Sequence, residues 1–194
     1  VSRLDLVVGP NGAGKSTFVR YAIVPAWPAS VFVNADAIAQ ERWPEDPAEH
    51  SYEAAKIAAA TRSRLIELSK PLIAETVFSH PSKVDLVHQA IGAGYYVALH
   101  VLMVPEHVAV ARVSARVAAG GHDVPVNKIT ERYQRLWPLV AEAAAVVDSS
   151  TFWDNSHRDG PDVVALLANG MVVGSPTWPA WAPADLVDRW PPAP

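Results

Sequence analysis

The sequence predicts a three-layer α/β/α protein built on a mainly parallel sheet, and three observations carry that reading. A short apolar run, Leu4 to Val8, feeds a glycine-rich turn and then a helix-forming stretch from Phe18. Strand-like and helical segments alternate as far as about residue 153, the order that puts helices on the faces of a parallel sheet. Tyr95-Tyr96-Val97-Ala98-Leu99-His100-Val101-Leu102 is almost continuously apolar, as a strand buried on both faces must be.

Each element has its own signal. Pro25-Ala26-Trp27-Pro28 ends the first helix as a loop, and Val31-Phe32-Val33 follows as a short β-branched and aromatic strand. From about Ala48 to Ser69 alanines recur with Tyr52, Ile57, Leu65, Ile66 and Leu68, the pattern of a long amphipathic helix. Pro71-Leu72-Ile73-Ala74 reads as a buried strand that delivers Glu75 and Thr76 at its end. Val84 to Ile91 is a helix stopped by Gly92 and Gly94. The next helix spans Glu106 to Ala119, closed by Gly120-Gly121. Another spans about Asn127 to Ala145, with a bend or break expected at Pro138. Ser150 to Trp153 is a fifth strand, and Val163 to Ala168, Asn169-Gly170 and Met171 to Val173 form a hairpin with an Asn-Gly turn. The proline- and tryptophan-rich tail after Ser175 is either an irregular packed strap or an exposed extension.

Composition narrows the function. The chain has 194 residues, half of them hydrophobic and 19% charged, an ordinary globular balance. It reads as one domain over residues 1–194, with its core at about 4–156 and the hairpin and tail at 160–194. Net charge is −4 and the pI near 6.0, so no global basic field draws nucleic acid. No cysteine is present, which removes disulfides, thiolate metal sites and a thiol nucleophile. The apolar run before Gly9 is too short for a signal peptide, and no run approaches the ~20 apolar residues of a membrane span. A cytoplasmic protein with no membrane and no nucleic-acid partner is the expectation.

The chemistry begins at Gly9-Pro10-Asn11-Gly12-Ala13-Gly14-Lys15-Ser16-Thr17. This is G-x-x-x-x-G-K-[ST] between strand and helix, the phosphate-binding P-loop in its required context. Gly12 and Gly14 let successive backbone N–H groups point at one anion, and the following helix N-terminus adds partial positive charge. Lys15 reaches the β- and γ-phosphates, and the Ser16 hydroxyl takes a place on Mg²⁺.

In an open α/β sheet ligands bind beyond the carboxyl ends of the strands. The residues there are the P-loop, then Asn34 and Asp36, then Glu75 and Thr76, then Asp154, Asn155 and Ser156. Asp36 is a candidate base or a water-mediated metal partner, with an N-cap as its structural alternative. Asn34, Glu75 and Thr76 are candidates for holding a polyol or sugar acceptor. Glu75 and Thr76 have local loop bonding as their alternative. Asp154 and Asn155 either cap the next turn or border the nucleotide base. Arg112 and Arg116 lie one helical turn apart and, with Arg132, flank Gly120-Gly121-His122-Asp123-Val124-Pro125. Arginines on both sides of a hinge suit a closing lid that neutralises a transferring phosphoryl group. His122 is a further candidate for touching substrate.

Assembled, these pieces resemble the zeta-toxin family of P-loop kinases. GPNGAGKST, VNADAIA, ETVFS, GYYVALHVLMV, RVSARVAAGGHDVP with ITERY, and FWDNS occur in family order over about residues 4–156. The resemblance implies a P-loop kinase fold and an ATP- or GTP-dependent, Mg²⁺-assisted kinase. It further implies transfer to the 3′ hydroxyl of UDP-N-acetylglucosamine and a small antitoxin as partner. By position it implies phosphate and metal handling by Lys15 and Ser16, a base at Asp36, and a sugar held by Glu75 and Thr76. The phosphate clamp falls to Arg112 or Arg116 and to Arg132, with His122 nearer to where some members carry arginine. A compact chain with a GGHDVP lid leaves two other readings open: a kinase of another nucleotide or dinucleotide, or a nucleotide-binding switch acting through a protein partner.

Overall fold

The computed structural model describes residues 1–119 and 124–193. Its centre is β1 (Arg3–Val8), flanked in parallel by β3 (Leu72–Thr76) and β4 (Tyr96–Met103). β2 (Val31–Val33) pairs parallel with β3, and β5 (Ser149–Asp154) pairs parallel with β4. β6 (Asp162–Ala168) and β7 (Met171–Val172) close the far edge antiparallel, giving seven strands in the order β2-β3-β1-β4-β5-β6-β7. The architecture is the three-layer, mainly parallel one that alternation predicts, and the hairpin lies where Asn169-Gly170 places it.

Alternation along β1 divides the core in two. Leu4, Leu6 and Val8 face one side, where α4 (Ser51–Glu67), α5 (Ser82–Gly92) and α7 (Val126–Ala144) bring Ile66, Val87, Leu136 and Val140. Val7 faces the other, against Val19 and Ile23 and against Ala109 of α6 (Glu106–Ala118). Side chains on both faces of a strand need helices on both faces.

Several expectations are corrected in detail. The first helix is not uniform: α1 (Lys15–Phe18) passes into a π-helical turn, Val19–Ile23, and a last turn α2 (Val24–Ala26) that contains Pro25. The prolines at 25 and 28 thus do not stop the helix before Trp27. α7 is not broken at Pro138 but continues through it. A proline removes one helical bond, but Leu136, Trp137, Val140 and Ala141 around it are buried and hold the helix against the sheet. The tail is the packed strap rather than the extension. Leu186, in α8 (Ala184–Val187), is fully buried, and Trp190 is 6% exposed against Phe152. Trp178 donates its indole N–H to the Trp190 carbonyl, and Trp190 donates its own to the Gly170 carbonyl. Among the described residues no helix is long and apolar enough to cross a membrane.

Candidate active site

The glycines of the loop after β1 are required by their surroundings. Gly12 sits at φ 76°, and a Cβ there would lie 2.7 Å from the Ala109 carbonyl oxygen. Gly14 sits at φ 87°, with the Asn155 amide nitrogen 2.6 Å from where a Cβ would stand. A left-handed backbone and no room for a side chain both select glycine. The loop is therefore pressed between α6 and the chain that leaves β5. Asn155 donates from Nδ2 to the Ala13 carbonyl at 2.8 Å, and Arg112 donates to the Gly12 and Ser156 carbonyls at 3.4 and 3.5 Å. Both residues brace the loop from behind. Of the pair Asp154 and Asn155, expected to cap the next turn or border the base, Asp154 does the capping: its Oδ1 accepts from the Ser156 N–H.

Lys15 opens α1 and is 8% exposed. Its Nζ donates to the Pro10 carbonyl of its own loop at 2.9 Å. Burial pushes the ammonium below its ordinary value, Glu75 and Asp36 pull it back up, and Arg116 pushes it down again. Two carboxylates and one guanidinium thus act on this lysine from three separate elements. That is the electrostatic centre of a site for a polyanion.

The residues after β2 and β3 are tied to the loop by a chain of hydrogen bonds. Ser16 Oγ donates to Glu75 Oε1 at 2.8 Å, and Asn34 Nδ2 donates to Glu75 Oε2 at 2.8 Å. Asn34 Oδ1 in turn accepts from the Ala37 N–H at 3.0 Å, so Asn34 is the N-cap of α3 (Ala35–Arg42). The capping role considered for Asp36 belongs to Asn34, two residues earlier. Asp36 is freed to stand, exposed, in the first turn of the helix, where helix polarity favours its carboxylate. Thr76 bonds locally, its Oγ1 accepting from the Phe78 N–H at 3.4 Å. Phe78, fully buried at φ 66°, holds the sharp turn that carries the chain away from β3.

The structure brings together the P-loop, Asn34, Asp36, Glu75, Arg112, Arg116 and Asn155. Arg132 makes no hydrogen bond or ion pair among the described residues, and His122, with Gly120, Gly121 and Asp123 of the expected lid, lies outside them. Sequence reasoning missed the partnership of Glu75 with Ser16. It comes from the parallel pairing of β1 with β3, which sets Glu75 beside Val7 at the strand end that feeds the P-loop, a strand order that periodicity alone does not give.

The sequence profile of a family described as an AAA domain matches residues 4–139, from β1 into α7. The chain belongs to that family. This AAA domain also shares its fold with solved structures. The AvrRxo1-ORF1:AvrRxo1-ORF2 complex with sulphate ions is 14% identical at a TM-score of 0.70, over 89% of this chain and 60% of that one. The structure of the PezAT chromosomal toxin–antitoxin system of Streptococcus pneumoniae is 15% identical at a TM-score of 0.60, over 85% of this chain and 70% of that one. The Pnkp1/Rnl/Hen1 RNA repair complex contains a chain 24% identical at a TM-score of 0.59, over 73% of this chain and 46% of that one. The likeness is one of fold, P-loop kinase-like, and the domain spans about 60% of the length of the AvrRxo1 chain it matches. No curated protein is significantly similar to it.

Proposed function

We propose that the chain is a P-loop phosphotransferase that moves the γ-phosphoryl group of ATP or GTP to a hydroxyl of a small molecule. The observation that carries this reading is the convergence of Asp36 and Glu75 on the buried Lys15. A cradle that only held nucleotide would need the lysine and the glycines, but not an exposed carboxylate on a second, capped helix facing them.

The residues divide the work by position. The loop N–H groups and Lys15 bind and orient the phosphates, and Lys15 with Arg116 lowers the energy of the charge that spreads over the transferring group. Asp36 accepts the proton of the acceptor hydroxyl. A Mg²⁺ ion suits the Ser16 hydroxyl, with Glu75 behind it, and when bound it would neutralise charge between neighbouring phosphates. Arg112 positions the loop through Gly12, and Asn155 does so through Ala13.

The acceptor proposed first is the 3′ hydroxyl of UDP-N-acetylglucosamine, on the zeta-toxin resemblance; another nucleotide or a dinucleotide is the alternative acceptor. A small antitoxin is the proposed partner, a reading supported by the toxin–antitoxin system among the structural neighbours.

The experiment incubates the protein with ATP, Mg²⁺ and either UDP-N-acetylglucosamine or a metabolite extract, and reads products by mass spectrometry. A new phosphorylated metabolite that is absent with Lys15→Ala supports the kinase. Release of inorganic phosphate alone would point to a nucleotide-hydrolysing switch instead.

A further inference from the structure

A second cationic locus lies away from the P-loop. On α4 the buried residues Ala54, Ala58, Arg62 and Ile66 recur every fourth position, forming one inward stripe. Three of the four are apolar, as a core stripe should be. The third is an arginine that is 5% exposed. Its Nε has no hydrogen-bond partner, and the guanidinium forms no ion pair among the described residues. Burial pushes it below its ordinary value with no carboxylate acting to restore it.

A buried, unpaired charge is costly, and an apolar residue of similar size at such a position is often neutral or stabilising. Packing therefore does not explain an arginine here. A second cation is close by: Lys83, in the first turn of α5, is also held below its ordinary value, by burial and then by repulsion from Arg62. Two positive groups that repel each other call for an anion between or beside them.

Topology says which side of the molecule they serve. α4 leads directly into β3, so its C-terminal end lies at the start of that strand and its N-terminal end points toward the strand's end, where Glu75 and Thr76 stand. Helical side chains lean toward the helix N-terminus, which for α4 is the direction of that same edge. Lys83 lies seven residues after Thr76, on the chain that turns back from it. Lys83 thus follows the strand end that carries Glu75 and Thr76, on the acceptor side, and Arg62 acts on it from α4.

We propose that Arg62 and Lys83 form a binding site for a phosphate group carried by the acceptor, apart from the phosphates held by the P-loop. This rests on the phosphotransferase reading for the word acceptor, but the site itself is a property of two side chains. A dianion fits a guanidinium, which offers planar paired donors, and an ammonium, which offers a point charge.

The test is thermal unfolding with inorganic phosphate, and separately with acetate, in a Lys15→Ala background that weakens the P-loop's own hold on anions. Phosphate is expected to raise the midpoint by about 4 °C at roughly ten times its Kd. In the Lys15→Ala/Arg62→Met protein that rise is lost, while the midpoint without phosphate stays level or increases. Arg62→Lys restores part of the rise and Lys83→Met reduces it, which separates a lost site from a damaged fold. A phosphate response unchanged by Arg62→Met overturns the proposal, and an equal response to acetate overturns the assignment to a dianion. Because the readout needs no turnover, a protein that shows the Arg62-dependent rise yet phosphorylates nothing would refute the kinase reading and leave this site standing. With an identified acceptor and an active enzyme, Arg62→Met should raise the acceptor KM at least ~10-fold with the ATP KM unchanged.

Discussion

Asp36 is the residue on which the proposed chemistry turns, and its place is decided by a neighbour. Because Asn34 takes the N-cap, Asp36 enters the first helical turn with its side chain unspent, close enough to Lys15 to act on that lysine's charge. Asp36→Asn keeps the shape and removes the base. Turnover is expected to fall by ~10²-fold or more with nucleotide affinity little changed. Steady-state kinetics beside nucleotide titration would check this, and unchanged turnover would remove Asp36 from the mechanism. At this scale the sequence was informative wherever a residue type has one use. Lys15 and Ser16 after Gly14 are readable because no ordinary turn requires them. The roles of Asn34, Glu75 and Asn155 were not readable, because each bonds a residue 41 to 142 positions away. Arg62 escaped notice for a related reason: inside an alanine-rich stripe, one arginine looks like an irregularity of the polar face.

Among elements, the joint between β1 and β4 carries a polar clamp within a largely apolar sheet. Asp5 is fully buried and accepts from Arg3 Nε and Nη2 at 2.8 Å each, and its Oδ1 lies 3.1 Å from His100 Nε2 on the neighbouring strand. Arg3 is itself covered by the Trp27 and Tyr96 rings. Burial alone would raise the Asp5 pKa, but the bonds from His100 and Arg3 prevail and hold it below the ordinary 3.8. A carboxyl lowered on folding stabilises the native state above its unfolded value, and loses that contribution as pH falls through the folded one. Asp5→Asn is therefore expected to cost about 2 kcal/mol near neutral pH. The difference from wild type should shrink below pH 3.8. Denaturant unfolding across that range would show it, and a pH-independent difference would contradict it. The elements themselves were legible from periodicity and punctuation. What misled were local rules overruled by context: at Pro138 a buried helix face outweighs a missing hydrogen bond, and Pro25 sits in the first turn of α2, where proline is tolerated.

For the molecule as a whole, the tail is part of the structure and not an appendage. Its composition leaves packed and extended forms equally open, because tryptophan and proline serve both. Contact with Phe152 and two indole hydrogen bonds decide between them. Trp190→Ala should cost about 3–5 kcal/mol of stability by opening a cavity against β5. It should leave nucleotide affinity close to wild type, since the strap lies behind the antiparallel edge. A loss of less than about 1 kcal/mol in chemical denaturation would mean the strap contributes little.

The hydrogen-bond path from Ala37 through Asn34 and Glu75 to Ser16 has one more implication. It works as a rigid spacer: the gap between the group that would draw off a proton and the pocket that would grip phosphate is fixed by the bond lengths of two short side chains. Donor and acceptor compartments on such a frame cannot drift apart independently. Lengthening or cutting the spacer at Glu75 would spoil that alignment and also withdraw a carboxylate that acts on Lys15.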